Sequence, residues 1–520
     1  MRLLLIAVVI SSLVGCSGRK AEMERPNILF CIADDQSYPH AGAYGCDWVK
    51  TPSFDRIAEQ GILFTRAFTP MAKCCPSRSC IVTGRNIWQL EAAANHVCFF
   101  PPKFKTYAET LMENDYFVGH TVKGWGPGVA LTRDGEERQM VGPAYNEHKL
   151  DPPTRFISGV DYAANFEAFL DSRPEGQPFC FWAGSIEPHR AYEYGSGVTK
   201  GGKQLSDIDE VPVYWPDCDT VRNDMLDYSF EVEYWDSHVG RMLQILEEHG
   251  LLKNTLVIAT SDHGMPFPRV KGMPNHIANR VPLAMMWPEG IKEPGRVVED
   301  FISFTDFAPT FLDLAGITSE ESGMQQMEGE SLVPLLSGKS EASGREVMIF
   351  GKERTDIGRP DDVGYPARGI SDGKYVYIYN FHPERWPANN PETGYTDTDG
   401  SPTKSYILND RRQKGESWYW DQNFGKHPAE ELYSIKDDPW QIQNLAEELA
   451  YNTIKETLKE QLYTELRTEG DPRMSGEGDI FDTYLYSAEK FRNYYNRFMA
   501  GEELYPGWIS RSDFEIENME

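Results

Sequence analysis

The sequence predicts an α/β fold with a mostly parallel sheet that helices cover on both faces. Two observations predict it: short apolar runs of strand length recur along the chain, and helical patterns alternate with them. The strand candidates are NILFCIA (27–33), YFVGHTV (116–122), PFCFWAGSI (178–186) and TLVIATS (255–261). The helical patterns fall near residues 53–60, 104–114, 160–172, 223–249 and 305–315.

The character of the chain changes from about residue 375. KYVYIYNF alternates as a half-buried strand does, and a segment rich in Pro, Asn and Gly follows at 386–402. A further helix is predicted near 447–468, before an aromatic and charged tail. We therefore expect a main domain at 26–375 and a smaller C-terminal subdomain at 376–520.

The N-terminus predicts export. Arg2 precedes the apolar run LLLIAVVISSLV, which is too short to span a bilayer as a mature helix and is typical of a signal peptide at 1–15. The run ends in Leu-Val-Gly-Cys16, which resembles a bacterial lipobox, so we expect acylation of Cys16 and a short tether at 16–25. The sequence thus predicts a lipid-anchored protein of the bacterial cell envelope, on the outer membrane or the periplasmic face. An uncleaved anchor or an ordinary signal peptide is the alternative.

The net charge argues against nucleic acid as a partner. With 51 Lys and Arg against 80 Asp and Glu, the formal net charge is −29, which argues against a broad basic surface for nucleic acid. It does not argue against an anionic small substrate. Charges are screened over about 8 Å at physiological salt, so a few basic side chains inside a pocket outweigh distant carboxylates.

Polar side chains follow the predicted strands at the points where these strands end. Ligands of open α/β sheets bind beyond the carboxyl ends of the strands, so these side chains are expected to share one site. They are Asp34 and Asp35 after the first strand, Lys123 after the second, His189 after the third, and Asp262 and His263 after the fourth.

Three of these residues predict a metal site. Asp34, Asp35 and Asp262 offer the hard oxygen ligands that Ca²⁺ or Mg²⁺ takes. His263 either completes the set or holds a neighbouring ligand. Carboxylates crowded together raise one another's pKa, and a bound divalent cation removes that repulsion.

A cysteine-rich string carries the most specific signal. Residues 74–85 read CCPSRSCIVTGR, which resembles the signature of the sulfatase family: C-x-P-S-R, three further residues, an aliphatic residue and T-G-R. In that family a dedicated formylglycine-generating enzyme oxidises the first cysteine to formylglycine. That cysteine corresponds to Cys74, since Pro76 and Arg78 lie two and four positions on. A buried thiol cluster or a disulfide is the alternative.

The resemblance extends over nearly the whole chain after the tether. It includes RPNILFCIADD at the start, SDHG at 261–264, SFTDFAPTFLDLAG at 303–316, GESLVPLLSG at 329–338 and ELYSIKDDPWQIQNLA at 431–446. DHGMPFPRVKG and the pattern around YPARGI resemble, more weakly, the branch that includes heparan N-sulfatase.

The resemblance implies an alkaline-phosphatase-like α/β fold whose smaller C-terminal subdomain holds an antiparallel sheet. It implies one calcium ion bound by Asp34, Asp35, Asp262 and His263, with the formylglycine at Cys74 as a further ligand. It also implies that the hydrated aldehyde attacks sulfur and that free sulfate is released when the aldehyde forms again.

Supporting roles follow from the same resemblance. Arg78 would hold the hydrate, and a helix beginning near Ser77 would direct its positive end toward sulfate. Lys123 and Lys271 would neutralise the sulfate oxygens in the transition state. His189 would donate a proton to the leaving oxygen or bind sulfate.

One position departs from the family pattern. Many sulfatases carry a histidine directly after the Lys-Trp pair that follows the lysine strand, and that histidine assists the formylglycine. Here Trp125 is followed by Gly126, and His120 on the preceding strand is the one candidate substitute that this stretch offers. The second catalytic histidine is therefore open.

The substrate is expected to be a sulfated carbohydrate. The segment 351–370 carries several basic residues between glycines and prolines, like a loop that lines a pocket, and Arg354 or Arg368 is expected to pair with a sugar carboxylate or a second sulfate. Algal polysaccharides such as ulvan or carrageenan and animal glycosaminoglycans are candidates, and cleavage of an N-sulfate is an alternative.

Two other functions compete with sulfate hydrolysis. A phosphohydrolase of the same superfold typically uses a Thr or Ser nucleophile and two transition metals with several His ligands, which this chain does not match. A catalytically inactive glycan-binding lipoprotein would have no reason to retain Cys74, Arg78, Lys123, His189 and Lys271 together.

Overall fold

The computed structural model describes residues 25–515. The predicted signal peptide, the lipidation site Cys16 and most of the tether lie outside the described residues and stay predictions. Within residues 25–515, no helix is long and apolar enough to cross a membrane.

The described chain forms thirteen strands and fifteen α-helices, joined by short 3₁₀ turns. The strands are β1 (Asn27–Ala33), β2 (Ile62–Phe68), β3 (Cys98–Phe100), β4 (Phe117–Val122), β5 (Gly128–Ala130), β6 (Phe179–Gly184), β7 (Thr255–Ser261), β8 (Arg280–Met286), β9 (Arg296–Ser303), β10 (Met348–Lys352), β11 (Ala367–Ser371), β12 (Tyr375–Asn380) and β13 (Glu430–Ser434). The helices are α1 (Pro52–Glu59), α2 (Cys74–Thr83), α3 (Tyr107–Glu113), α4 (Tyr162–Ser172), α5 (Ser196–Thr199), α6 (Asp219–Glu248), α7 (His276–Asn279), α8 (Phe307–Ala315), α9 (Ser319–Ser322), α10 (Val333–Leu336), α11 (Pro402–Lys414), α12 (Trp418–Phe424), α13 (Asn452–Thr468), α14 (Ile480–Thr483) and α15 (Tyr494–Met499).

Seven strands form the main sheet in the order β4-β6-β1-β7-β8-β2-β9. The pairs β4–β6, β6–β1, β1–β7 and β2–β9 are parallel, and β8 runs antiparallel to both of its neighbours. The mostly parallel α/β fold is thus confirmed. All four predicted strands are present as β1, β4, β6 and β7, and the five predicted helices of the main domain are present as α1, α3, α4, α6 and α8.

Helices cover both faces of this sheet, as the apolar strands predict. Every residue of β1 is buried. Because side chains alternate across a strand, Ile28, Phe30 and Ile32 enter one core, with residues of α2, α3 and α8. Leu29 and Cys31 enter the other core, with residues of α1, α4 and α6.

A second, fully antiparallel sheet has the order β10-β11-β12-β13. It starts at Met348, before the boundary at residue 375 that the sequence predicted. The sequence pattern identified β12 but missed β10 and β11, because all residues of those two strands are buried and show no alternation. The domain limits of 26–375 and 376–520 stay predictions, while the antiparallel C-terminal sheet itself is confirmed.

Helix α13 covers one face of the second sheet. Leu458, Leu462 and Leu466 recur every four residues and are buried, which aligns them on one side of the helix. They belong to the same hydrophobic cluster as Ile370 of β11 and Phe307 of α8. The two sheets therefore share a continuous core, which fixes the C-terminal segments against the main sheet.

Candidate active site

The ends of β1 and β7 bring an acidic pair, Asp34-Asp35, and an Asp-His pair, Asp262-His263, together. These strands are parallel neighbours, with Ala33 opposite Ser261, so the residues that follow them lie side by side. The backbone N–H of Asp35 donates to Asp262 Oδ1 at 3.0 Å. Asp35 also adopts a positive φ of 75°, a conformation that non-glycine residues rarely adopt.

Helix α2 brings Cys74 to the same place. It begins at Cys74, three residues before the start near Ser77 that the sequence predicted, because Pro76 fits in the first helical turn, where an N–H is not needed. The Ser77 hydroxyl donates to the carbonyl of Asp262 at 2.6 Å and fixes the helix to the end of β7. Cys74 is 2% exposed, so the first residue of the helix points into the protein.

Four side chains form a compact cluster of candidate metal ligands. One ligand atom from each of Asp35, Cys74, Asp262 and His263 lies within 4.8 Å of all the others. His263 Nε2 is 3.3 Å from Cys74 Sγ and 3.1 Å from Asp35 Oδ1. Asp34 belongs to an adjoining group with Asp35 and His189. The structure therefore assembles all five residues that the sequence predicted as metal ligands, in two overlapping groups.

Arg78 lies beneath this cluster and is completely buried. Its Nε donates to Asp262 Oδ2 at 2.9 Å, and its Nη2 donates to Asp34 Oδ1 at 3.2 Å. Its Nη1 donates to the backbone carbonyls of Lys123 and Gly124 at 3.0 and 2.8 Å. One guanidinium thus joins the ends of β1, β4 and β7, and its position is fixed by four hydrogen bonds.

The predicted lysines border the same cluster. Lys123 Nζ lies 2.6 Å from Asp34 Oδ1. Lys271 Nζ lies 2.7 Å from Asp35 Oδ2 and 2.8 Å from Asp399 Oδ2. Asp399 was not predicted, because it follows no recognised strand and lies in the irregular segment TDTDG.

His189 reaches the cluster from the end of β6. Its Nδ1 donates to the Arg190 carbonyl at 2.6 Å, which directs Nε2 toward Asp35, 3.9 Å away. The His189 side chain is 28% exposed, whereas the side chains of Asp34, Asp35, Arg78 and Lys271 are at most 2% exposed. His189 therefore lies on the side of the cluster that solvent and a ligand can reach.

The charges around Cys74 favour an anion there. Burial by itself raises the pKa of the Cys74 thiol, but Lys123, Lys271 and His263 outweigh it and hold that pKa well below its usual range. Burial lowers the pKa of His263, yet the carboxylates of Asp262 and Asp35 raise it to about 9. Position 74 is thus a site where a negatively charged group is stabilised.

A second layer of residues near Cys74 comes from segments that no motif marked. Lys73 Nζ lies 2.7 Å from Asp356 Oδ2, and His96 Nδ1 lies 3.3 Å from Asp356 Oδ1. Burial lowers the pKa of His96, but the Asp356 carboxylate and the Cys74 side chain, which acts as a hydrogen-bonding group, raise it overall. These residues are brought to the site by tertiary folding alone, so strand-end reasoning did not find them.

The two arginines that the sequence predicted as substrate ligands differ in their surroundings. Arg368 is completely buried on β11, where its Nε lies 2.7 Å from Asp471 Oδ2 and its Nη2 lies 2.8 Å from Glu353 Oε1. This pairing corrects the expectation that Arg368 lines an open pocket. Arg354 is 2% exposed, and its Nε and Nη2 have no hydrogen-bond partner among the described residues. Its substrate role stays a prediction.

His120, the candidate for a second catalytic histidine, makes its hydrogen bond away from Cys74. Its Nδ1 donates to the Gly142 carbonyl at 2.9 Å, and burial lowers its pKa. Trp125 Nε1 donates to Ser79 Oγ at 2.8 Å and packs against Phe100. None of the described contacts of His120 involves Cys74, so the structure gives no support to His120 as a second catalytic histidine.

The fold is alkaline-phosphatase-like, as solved structures of similar architecture show. The protein resembles the phosphonate monoester hydrolase of Agrobacterium radiobacter with a TM-score of 0.58 and 18% identity, over 87% of this chain and 97% of that one. It resembles equally a solved complex with the substrate D-glucosamine-2-N,6-O-disulfate, with a TM-score of 0.60 and 19% identity over 86% and 98% of the chains. At these identities the likeness shows the fold alone.

Sequence comparison gives the family. The profile of the sulfatase family matches residues 26–317, which is more than half of the chain, and the profile "N-sulphoglucosamine sulphohydrolase, C-terminal" matches residues 271–381. An ulvan-active sulfatase of Formosa agariphila is 30% identical over 457 residues, covering 86% of this chain and 81% of the relative. The human N-sulphoglucosamine sulphohydrolase is 27% identical, covering 84% and 89%. The chain belongs to the sulfatase family and is a hydrolase that acts on sulfate ester bonds.

Proposed function

We propose that the protein removes sulfate groups from a sulfated polysaccharide or oligosaccharide, with a formylglycine made from Cys74 and one calcium ion. The observation that carries this proposal is the enclosure of Cys74 by acidic, basic and histidine side chains at one edge of the sheet. The thiol of Cys74 occupies the place of the formylglycine oxygens in the described structure. When the aldehyde is present, its hydrate supplies the nucleophilic oxygen for attack on sulfur.

The side chains around position 74 bind sulfate, hold the group at that position and donate the proton to the leaving oxygen. Lys123 and Lys271 bind the sulfate oxygens and balance the charge that develops on them. Arg78 holds the group at position 74 and keeps two carboxylates in place. His189 donates a proton from Nε2 to the leaving oxygen, because its ring is the most exposed of this set and faces the side where the sugar must lie.

The donor set fits a hard divalent cation. Asp34, Asp35 and Asp262 are buried carboxylates within one small volume, and oxygen ligands of this kind suit Ca²⁺. His263 adds one nitrogen ligand, and the formylglycine oxygen at position 74 replaces a sulfur that suits softer metals. The ion would neutralise the carboxylates and orient the anionic sulfate.

The relatives support a carbohydrate substrate. Two similar proteins of Formosa agariphila are ulvan-active sulfatases, and the similar solved complex contains a disulfated glucosamine. A second candidate reaction is cleavage of an N-sulfate. The match of residues 271–381 to the C-terminal profile of N-sulphoglucosamine sulphohydrolase favours it, since this segment includes Lys271 and Arg354.

Sulfate release from defined oligosaccharides tests the proposal. We expect protein matured beside a formylglycine-generating enzyme to release sulfate, measured by ion chromatography, from O-sulfated ulvan, carrageenan or glycosaminoglycan fragments. Chelation of calcium should abolish the release, and calcium added back should restore it. Release from N-sulfoglucosamine alone would identify the second reaction. Hydrolysis of phosphate or phosphonate monoesters without any sulfate release would contradict the proposal.

Maturation has to precede folding if the proposal is correct. Cys74 is 2% exposed at the start of a buried helix, so a generating enzyme cannot reach it in the folded protein. We propose that this modification occurs on the unfolded chain during export. The mature protein would then be held on the cell envelope through an acylated Cys16.

Replacement of Cys16 tests the anchor separately. We expect Cys16→Ser to move the protein from the membrane fraction to the soluble fraction, because the acylated thiol is the only anchor that the sequence predicts. Fractionation followed by immunoblotting measures the change, and release of labelled fatty acid from the unaltered protein provides the control. A Cys16→Ser variant that stays in the membrane fraction would contradict acylation at this residue.

A further inference from the structure

The sulfur atoms of Cys75 and Cys98 lie in contact inside the hydrophobic core. Cys75 Sγ is 3.5 Å from Cys98 Sγ, which is the only hydrogen bond between two cysteine sulfurs within residues 25–515. Both residues are free thiols in the described structure, and both are completely buried in the same hydrophobic cluster. Neither thiol has a part in the proposed removal of sulfate, so this pair is a second sulfur site beside the catalytic one.

Folding brings the two sulfurs together from separate elements. Cys75 is the second residue of α2, where its carbonyl accepts a hydrogen bond from Ser79 Oγ at 2.7 Å. Cys98 begins β3, which pairs in parallel with β5 and places Cys98 opposite Gly128. The Cys75 thiol donates to the Asn95 carbonyl at 3.8 Å, which leaves its lone pairs for the thiol hydrogen of Cys98. Contacts of the backbone therefore hold both residues in place without a bond between their sulfurs.

The remaining gap between the sulfurs is small. A disulfide bond has an S–S length of about 2.0 Å, so each sulfur has to move by less than about 1 Å. Rotation about the bond between Cα and Cβ supplies a movement of this size. The fold therefore presents the two thiols in a position from which a bond can close.

We propose that the mature protein contains a disulfide bond between Cys75 and Cys98, made by exchange with an external disulfide. The deprotonated sulfur of one cysteine attacks the external disulfide, forms a mixed disulfide and releases one external thiolate. The deprotonated sulfur of the other cysteine then attacks the cysteine sulfur of the mixed disulfide and releases the second thiolate. The two released thiolates take up the two cysteine protons, so two cysteines are oxidised and one external disulfide is reduced.

The proposed location on the cell envelope suits this reaction. Disulfides form and persist in the bacterial periplasm, where dedicated oxidoreductases supply the external disulfide. Because Cys75 and Cys98 are both completely buried, the exchange has to occur before α2 packs against β3. This is the stage of folding at which the proposed conversion of Cys74 also takes place. The inference therefore rests on the proposed export and does not depend on the formylglycine mechanism.

The cross-link acts on the start of α2. It closes a loop of the chain from residue 75 to residue 98, and a closed loop restricts the unfolded chain and so stabilises the folded one. Arg78, which joins three strand ends at the candidate active site, lies within this loop. The bond also removes the thiol that directly follows position 74, where a free thiol would add to the aldehyde.

Peptide mapping without reduction tests the cross-link. Trypsin cleaves after lysine and arginine, which places Cys75, Cys80 and Cys98 on the separate peptides 74–78, 79–85 and 86–103. The full chain is isolated from the envelope fraction, its free thiols are blocked with iodoacetamide in denaturant, and it is then digested. We expect the first and third peptides to be joined, with a mass two hydrogen atoms below their sum, and to separate on reduction. Cys80 should carry the blocking group.

A Cys98→Ala variant and its matched control, Cys180→Ala, measure the effect on stability. Cys180 lies on β6 in the same hydrophobic cluster as Cys98, and it makes no sulfur–sulfur hydrogen bond within residues 25–515. Each variant removes one buried sulfur, but only Cys98→Ala removes the cross-link. We expect the Tm of Cys98→Ala to lie on the order of 5 °C below that of Cys180→Ala. Mapping of Cys74→Ala should still find the cross-link, because peptide 74–78 then contains Cys75 as its one cysteine.

Blocking groups on both Cys75 and Cys98 of the envelope protein would overturn the inference. A bond from Cys75 to Cys80 would overturn it equally, since a different pair would then have closed. Equal Tm values for Cys98→Ala and Cys180→Ala would overturn the stabilising role of the bond. If Cys98→Ala does not fold, mapping of the unaltered protein decides alone.

Failure of the other proposals can be distinguished from failure of this one. If the chain is found in the cytosolic fraction, the export proposal fails, and purified protein is then incubated with glutathione disulfide in mild denaturant. A bond between Cys75 and Cys98 after this treatment would support the pairing, and blocking groups on both would overturn it. The mapping requires no sulfate release, so a protein without sulfatase activity would contradict the proposed function and leave the cross-link to be read directly.

Discussion

Replacement of Cys74 by alanine is expected to abolish sulfate release, with kcat/KM lowered on the order of 10⁴-fold or more, because the residue supplies the nucleophile. Burial raises the pKa of the Cys74 thiol, but Lys123, Lys271 and His263 outweigh it and lower that pKa, so the charges around position 74 favour an anion there. Release of sulfate from a defined oligosaccharide, at equal concentrations of folded protein, measures the loss.

Cys80→Ala is the matched control for this variant. Cys80 lies on the same helix and is completely buried, but its side chain packs in the hydrophobic core. Its loss should cost about 1 kcal/mol of stability and leave sulfate release intact. Peptide mass spectrometry should find the aldehyde at position 74 in Cys80→Ala and in the unaltered protein. A Cys74→Ala protein that releases sulfate at the original rate would contradict the covalent mechanism.

The sequence predicted those parts of the fold whose pattern reflects burial on both faces. Strands β1 and β7 are nearly continuous apolar runs, and both were predicted with their observed limits, Asn27–Ala33 and Thr255–Ser261. Strand β8 has the same kind of apolar run, RVPLAMM, but composition does not reveal that it runs antiparallel to its neighbours. Direction within a sheet depends on the connections, which the pattern of side chains does not encode.

In the candidate site too, residues with a local sequence signal could be predicted and residues brought in by tertiary folding could not. Asp34, Asp35, Asp262 and His263 could be predicted because they directly follow recognised strands, and parallel strands bring their carboxyl ends to one edge. Residues that reach the site from irregular segments could not. Asp399 approaches Lys271 across 128 residues of sequence, and Asp356 approaches His96 across 260. Neither separation leaves a local signal.

Arg354 and Arg368 show why a basic, glycine-containing segment is a weak sign of a pocket. Arg368 lies on a central strand of the second sheet, and its guanidinium pairs with Asp471 and Glu353 in the interior. An arginine at this place compensates the charge of two buried carboxylates, one of which, Glu353, also pairs with Arg473. The sequence contains the same residue types in either case, and only the position of the carboxylates distinguishes a structural arginine from one that awaits a ligand.

Arg78→Met should lower both stability and activity. Removal of the guanidinium takes one charged partner from each of the buried carboxylates of Asp34 and Asp262, which is expected to cost about 3–5 kcal/mol of unfolding free energy. Two predicted calcium ligands lose their orientation at the same time. We therefore expect the folded variant to contain less than one calcium ion per chain, by elemental analysis, and to release sulfate much more slowly.

Arg368→Met separates the loss of a buried charge from the loss of the site. Arg368 is as completely buried as Arg78 and also pairs with two carboxylates, so its removal should cost a comparable about 3–5 kcal/mol in denaturant unfolding. Since those carboxylates lie beside the second sheet, after β10 and after α13, and not in the Cys74 cluster, its calcium content and its sulfate release per folded molecule should be unchanged. A raised KM in Arg368→Met would restore the substrate role that the structure argues against. Full calcium content and full activity in Arg78→Met would show that the guanidinium serves stability alone.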